Sequence, residues 1–185
     1  MAMKLWGIAI LVLSALALAA MVAQPAEALE EPRFTAQKEL LRPEGYREWV
    51  FVGASLGMSY NEAAPKTPTF HNVYLHPRAY REFVKTGRFP ERTILAMEVL
   101  TPGSQSSINR QGQFEDRFVG VEAAVKDSSR FPEGWAYFNF IRPGQTAAPT
   151  AKAFPKEACW QCHHEHGGSD NVFTQFYPVL RQEWK

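Results

Sequence analysis

The residues best equipped for chemistry lie in one stretch near the C-terminus, Cys159-Trp160-Gln161-Cys162-His163-His164-Glu165-His166. Cys159 and Cys162 are the only cysteines, and His163 follows the second directly. C-x-x-C-H is the spacing for covalent haem attachment, in which two thiols add to the haem vinyl groups and the histidine ligates iron. On a helical turn, positions three apart share a face, so both sulfurs can reach one porphyrin edge with His163 beneath the ring. Two rival chemistries use similar residues. A dithiol redox site needs C-x-x-C to open a helix after a strand in a βαβ context, and here no strand pattern follows the motif. Zinc would find ligands of acceptable type in Cys159, Cys162, His164 and His166. Those four are crowded into a single short segment, whereas structural zinc sites draw ligand pairs from separate elements. The spacing favours one covalently attached haem c.

The elements that must hold this stretch begin after an export signal. The chain opens Met-Ala-Met-Lys, runs apolar from Leu5 to Val22 and reaches Ala26-Glu27-Ala28. A basic start, an apolar run and an A-x-A site predict a secretory signal peptide over residues 1–28. An uncleaved N-terminal anchor is the alternative, since the apolar run is long for a signal, and only then would the protein be tied to a membrane. Either way the folded part, residues 29–185, is expected in the periplasm as a single haem domain. It is long enough to bury roughly 70% of its unfolded surface without disulfides. A formal net charge of +1 and the lack of any Lys/Arg run give no support for nucleic-acid binding. Aromatic residues make up 13% of the chain, enough to wall a flat apolar cofactor or simply to fill a core.

Residues 29–42 are mixed and charged and read as a loose lead-in. Pro43 to Trp49 reads as a short helix with Pro near its start. Gly53 to Thr69, rich in Gly, Ala, Pro, Asn and Ser, reads as a long loop. Phe70–Leu75 has strand character, and Pro77–Thr86 reads as a helix ended by Gly87, with Tyr80, Phe83 and Val84 on its apolar face. Further strands are expected over 93–100, 117–126 and 135–142, separated by a polar loop over 104–116 and turns at Asp127-Ser128-Ser129 and Pro132-Glu133-Gly134. An Ala/Thr/Pro linker leads to a helix over 155–166 that bears the motif and ends at Gly167-Gly168. Ser169 or Asp170 then caps a last helix, broken near Pro178. Strands separated by turns, with helices at the ends, predict an α+β domain on a predominantly antiparallel sheet.

Strand alternation sorts the side chains that can face the haem opposite His163. Leu95, Met97 and Val99 share one face of their strand. Phe118, Gly120, Glu122 and Ala124 share another, back to back with an apolar Val119, Val121, Ala123, Val125 face. Glu122 is therefore either exposed on an open sheet face or a partly buried acid/base group. His71 shares a face with Val73 and Leu75, where a hydrogen-bonded core histidine competes with an iron ligand. Met97 is either core filler or a sixth ligand. His164 and His166 flank the proximal ligand and suit the surface or a haem propionate, and His76 reads as a loop residue.

Several stretches together resemble the cytochrome P-460 family of periplasmic c-type haem proteins. They include Tyr46-Arg47-Glu48-Trp49-Val50, Lys85-Thr86-Gly87, Glu122-Ala123 with Val125-Lys126-Asp127-Ser128, Cys162-His163, and Phe176-Tyr177-Pro178-Val179-Leu180-Arg181. The resemblance runs in one order through nearly all of 29–185. It implies a largely antiparallel β domain with helices, usually a homodimer. The name-giving members oxidise hydroxylamine and carry a lysine cross-linked to the haem. Met97 stands at that position here and has no amine, while Lys85 aligns elsewhere. His71 aligns with a distal arginine of those enzymes, and Glu122 falls at or next to their proton-accepting carboxylate. Relatives without the cross-link, the cytochromes c-prime-beta, bind nitric oxide at five-coordinate iron capped by phenylalanine. Phe70 is a candidate cap, but it alternates with His71, so only one of the two can point inward.

Three functions are therefore expected of the chain. The first is a small-ligand haem protein, with His163 on iron and nitric oxide or a related nitrogen species bound opposite. The second is an electron-transfer cytochrome with His71 or Met97 as sixth ligand, serving a periplasmic redox partner. The third is a hydroxylamine-oxidising enzyme with Glu122 as distal base.

Overall fold

The computed structural model describes residues 32–60, 67–144 and 147–181. The signal segment expected over residues 1–28 lies outside them. Seven strands and two α-helices follow in order: β1 (Leu40–Leu41), β2 (Val50–Leu56), β3 (Phe70–Leu75), α1 (Pro77–Thr86), β4 (Ile94–Gly103), β5 (Phe114–Lys126), β6 (Trp135–Asn139), β7 (Thr150–Ala151) and α2 (Trp160–His166). Strands β2 to β6 form one antiparallel sheet in sequence order. The fold is α+β on a mainly antiparallel sheet, as the patterning predicts.

Several boundaries differ from the sequence reading, each for a long-range reason. Gly53 to Leu56, expected as loop, continues β2 because β3 offers it a ladder, with a register shift between Phe51 and Gly53. The lead-in is not loose throughout, since Leu40–Leu41 pairs with Thr150–Ala151 of the expected linker. β5 starts at Phe114, inside the expected polar loop, where it still pairs with Gly103 at the end of β4. Apart from α1, the expected helices are also shorter than the sequence suggests. Tyr46–Glu48 is a single 3-10 turn, α2 starts only at Trp160, and the expected last helix becomes two 3-10 turns, Thr174–Phe176 and Pro178–Leu180.

Helix α1 begins as its sequence demands. Pro77 occupies the first turn, and the His76 side chain accepts a hydrogen bond from the Arg78 N–H. His76 is thus a buried cap in edge contact with Trp49, not a free loop residue. The buried face of α1 is Ala79 and Phe83, with Tyr80 and Val84 of the expected face only partly covered beside Phe83. Phe83 stacks on Phe89, which meets Trp135 of β6 edge-on.

Both faces of the sheet are covered. One carries Ala96, Val121, Ala123, Val125 and Phe138 and packs under Leu40 and Tyr46. The other carries Val73, Leu75, Leu95 and Tyr137 and packs under α1, Val172 and Leu180. Because strand side chains alternate, Glu122 belongs to the second face and lies among apolar neighbours, not on an open surface.

Candidate haem site

The second face of the sheet hollows into a cavity of about 360 Å³ between β3–β6 and the α2 segment. That volume lies within the ordinary range for small-molecule and cofactor sites. Val73, Leu95, Met97, Glu122, Ala124 and Tyr137 form its sheet wall, and Cys159, His163, Val172 and Phe173 face them.

Local sequence explains how His163 comes to stand there. Cys159 is the N-cap of α2, and Cys162 follows one turn on; both are partly buried and neither is in a disulfide. Gly167 then turns the chain back beneath the helix. A Cβ at Gly167 would sit 2.5 Å from the His163 carbonyl oxygen and 3.0 Å from the Asn171 carbonyl carbon, so no larger residue allows this return. Asp170 and Asn171 both adopt positive φ, at 48° and 60°, in place of the helix start expected at Ser169 or Asp170. Short polar side chains tolerate that region best.

The return places the Asn171 carbonyl oxygen 3.0 Å from His163 Nδ1. A carbonyl only accepts, so Nδ1 carries the proton and Nε2 keeps its lone pair for a metal. Burial lowers the His163 pKa, partly offset by the bond to Asn171, which holds the ring neutral and fit to ligate. The ring is clamped between Tyr137, with centroids 4.0 Å apart, and Phe173, at 4.3 Å. An oriented imidazole, two thiols on the adjoining turn and apolar walls fit the group that the C-x-x-C-H spacing implies.

Across the sheet, Val73, Met97, Glu122 and Asn139 occupy one row of paired positions. Asn139 donates through Nδ2 to Glu122 Oε1 at 2.9 Å, and its Oδ1 accepts from the Ile141 N–H at 2.6 Å. The Ile141 bond fixes which way the amide points, because only the Oδ1 atom can accept it. Burial raises the Glu122 pKa, and the same burial, together with the nearby Glu122 charge, raises that of Cys159.

His71 also lines the cavity, with Nε2 3.0 Å from Thr69 Oγ1, and burial lowers its pKa so that it stays neutral. Phe70 alternates with it, points to the opposite face of β3 and takes no part in the cavity wall. Phe70 is therefore not placed as a cap; the phenylalanines that line the cavity are Phe138, Phe154 and Phe173, the last of them against His163 itself. Lys85 is exposed on α1, and neither lysine nor arginine lines the cavity among the described residues. His164 stacks on Trp160 at 4.4 Å, outside the cavity. Among the described residues no group of three or more His, Cys, Asp or Glu is placed to hold a metal ion.

Sequence reasoning missed Tyr137, Asn139 and Asn171. Tyr137 and Asn139 share a face of β6 by simple alternation, a signal present in the sequence. Asn171 acts through its backbone carbonyl, which no residue type announces. Tyr60, at the rim of the cavity with its ring 5.4 Å from that of Phe173, comes from the long loop.

A comparison with family models matches residues 43–174 to the model described as Cytochrome P460. The match takes in the whole five-stranded sheet, α1, the Cys159-to-His163 stretch and the Asn171 return. No curated protein matches the chain.

Proposed function

This chain belongs to the cytochrome P460 family and is accordingly a haem-binding cytochrome, and from that premise we propose that it binds nitric oxide or a related small nitrogen species. In this reading Cys159 and Cys162 hold one haem covalently and His163 ligates its iron. The haem supplies an iron site at which a small neutral ligand binds.

The observation that carries the proposal is the make-up of the wall facing His163. Val73, Leu95, Met97 and Ala124 are apolar, Glu122 is the one acidic group among them, and no cationic side chain lines the cavity among the described residues. A neutral diatomic needs no charge partner, so an apolar wall suffices for it. His71 is a poor sixth ligand as placed, because its Nε2 already meets the Thr69 hydroxyl. Met97 is the side chain that favours the electron-transfer reading, since its thioether lines the cavity. Glu122 favours the enzymatic one, being a half-buried carboxyl of raised pKa within the same wall.

Export through residues 1–28, a periplasmic redox partner and a homodimer complete the reading. Absorption spectra of the purified ferric and ferrous protein, with and without nitric oxide, test it. Five-coordinate high-spin haem that binds nitric oxide is the expected result. A six-coordinate, low-spin ferrous spectrum that nitric oxide leaves unchanged overturns it, and loss of that spectrum in Met97→Ala would assign Met97 as the ligand. Turnover of hydroxylamine with an added electron acceptor, abolished in Glu122→Ala, would establish the enzymatic reading instead.

A further inference from the structure

The carbonyl oxygen of Asn171 serves two donors. His163 Nδ1–H reaches it at 3.0 Å and the Tyr137 hydroxyl at 2.9 Å. We infer that Tyr137 is a positioning residue that limits how strongly His163 donates to a bound metal, by sharing the acceptor that orients the imidazole. The inference rests on the reading that His163 ligates haem iron, and it holds for any of the ligands or reactions considered above.

The physical chain is short. A hydrogen bond from Nδ1–H to an acceptor shifts electron density toward the other ring nitrogen and makes the imidazole a stronger ligand. A carbonyl that already accepts a bond from a hydroxyl is a weaker acceptor for a second donor, since both draw on the same negative charge. Tyr137 therefore moderates the polarisation of His163. It also limits the ring's rotation, because its aromatic face lies against the imidazole from the side opposite Phe173.

The acceptor itself is held from outside α2. Asp170, the preceding residue, receives Lys126 Nζ at 2.7 Å and Trp135 Nε1 at 3.1 Å. Lys126 in turn donates to the Phe89 carbonyl at 2.9 Å. The ends of β5 and β6 thus fix two consecutive positive-φ residues, and through them the height of one oxygen beneath the imidazole.

Resonance Raman spectroscopy and spectroelectrochemistry of the ferrous and ferric holoprotein test the inference, comparing wild type with Tyr137→Phe. The variant keeps the aromatic contact with His163 and removes only the hydroxyl. The expected result is an upward shift of the iron–histidine stretching band with a fall in midpoint potential. Asp170→Asn, which loosens the anchor, is expected to move the band the other way. Tyr137→Phe with band and potential both at wild-type values overturns the inference, including where the variant is measurably less stable. His163→Gly separates the underlying reading. Loss of the band, restored by added imidazole, supports His163 as ligand, whereas a band that persists without imidazole removes that ligation and this inference with it.

Discussion

Met97 on β4 pairs directly across from Glu122 on β5, and both side chains face the same cavity. Facing neighbours on adjacent strands have Cβ atoms about 4.5–5.5 Å apart. A thioether thus lies beside the acid, and among the described residues Glu122 has no cationic neighbour in the cavity wall. Its side-chain partner is the neutral amide of Asn139.

Removing both thiols, as Cys159→Ala with Cys162→Ala, is expected to leave haem that extracts completely into acidified acetone. Either single substitution leaves one thioether and a haem that stays with the polypeptide on a denaturing gel. Haem retained by the double variant under denaturing conditions would count against covalent attachment at these sulfurs.

Asn139→Ala leaves the Ile141 N–H without its acceptor and Glu122 without its donor. Both groups are partly buried, so losing their partners is expected to cost no more than the ~1–3 kcal/mol of a fully buried polar group, readable as a drop in urea midpoint of the holoprotein. A donated bond favours the charged carboxylate, so its loss raises the Glu122 pKa further. The haem absorption changes linked to Glu122 ionisation are expected to move to higher pH.

Burial holds the Glu122 carboxyl above the usual range. A group with a raised folded-state pKa contributes stability that is fully present below its unfolded pKa and is lost as pH rises through the folded one. Glu122→Gln cannot ionise and still offers Asn139 an oxygen. Its stability is expected to match wild type in acid and to exceed it at higher pH. Urea unfolding from about pH 4, near the unperturbed carboxylate, to about pH 8 checks this. Parallel curves for the two proteins would contradict it.

Gly120 lies one alternation from Glu122 on the same face of β5. A Cβ there would meet Ile141 Cγ1 at 2.6 Å and Ile141 Cα at 3.3 Å, and the backbone atom cannot yield as a side-chain tip can. Gly120→Ala is expected to cost about 1–3 kcal/mol, as overpacking typically does. Displacing Ile141 would also weaken the Asn139 lock, so the variant should share the upward pH shift of Asn139→Ala. A shift absent in one and present in the other would show that Ile141 does not transmit it.

The C-x-x-C-H spacing, the α+β class and the alternation that groups Met97 with Leu95 and Val99, and Glu122 with Gly120 and Ala124, were legible in the residues alone. All three are short-range: C-x-x-C-H is read within five residues, and strand faces follow from the two-residue period of an extended backbone. The lengths of β2 and β5 were not legible, because a polar or Gly-rich stretch becomes strand only when a neighbouring ladder accepts its hydrogen bonds. Nor did the chain announce that His71, not Phe70, takes the inward place, since alternation relates the two but does not choose between them. That choice came from the register of β3 against β4, which also set Val73 beside Met97. The tertiary structure alone decided the environment of His163. Its orienting oxygen belongs to the backbone of Asn171, its neighbouring hydroxyl to Tyr137 on β6, and the Asp170 side chain beside that oxygen is anchored by Lys126 and Trp135. These groups are brought together by the sheet and the Gly167 return, and a backbone carbonyl has no side-chain identity by which a sequence could mark it.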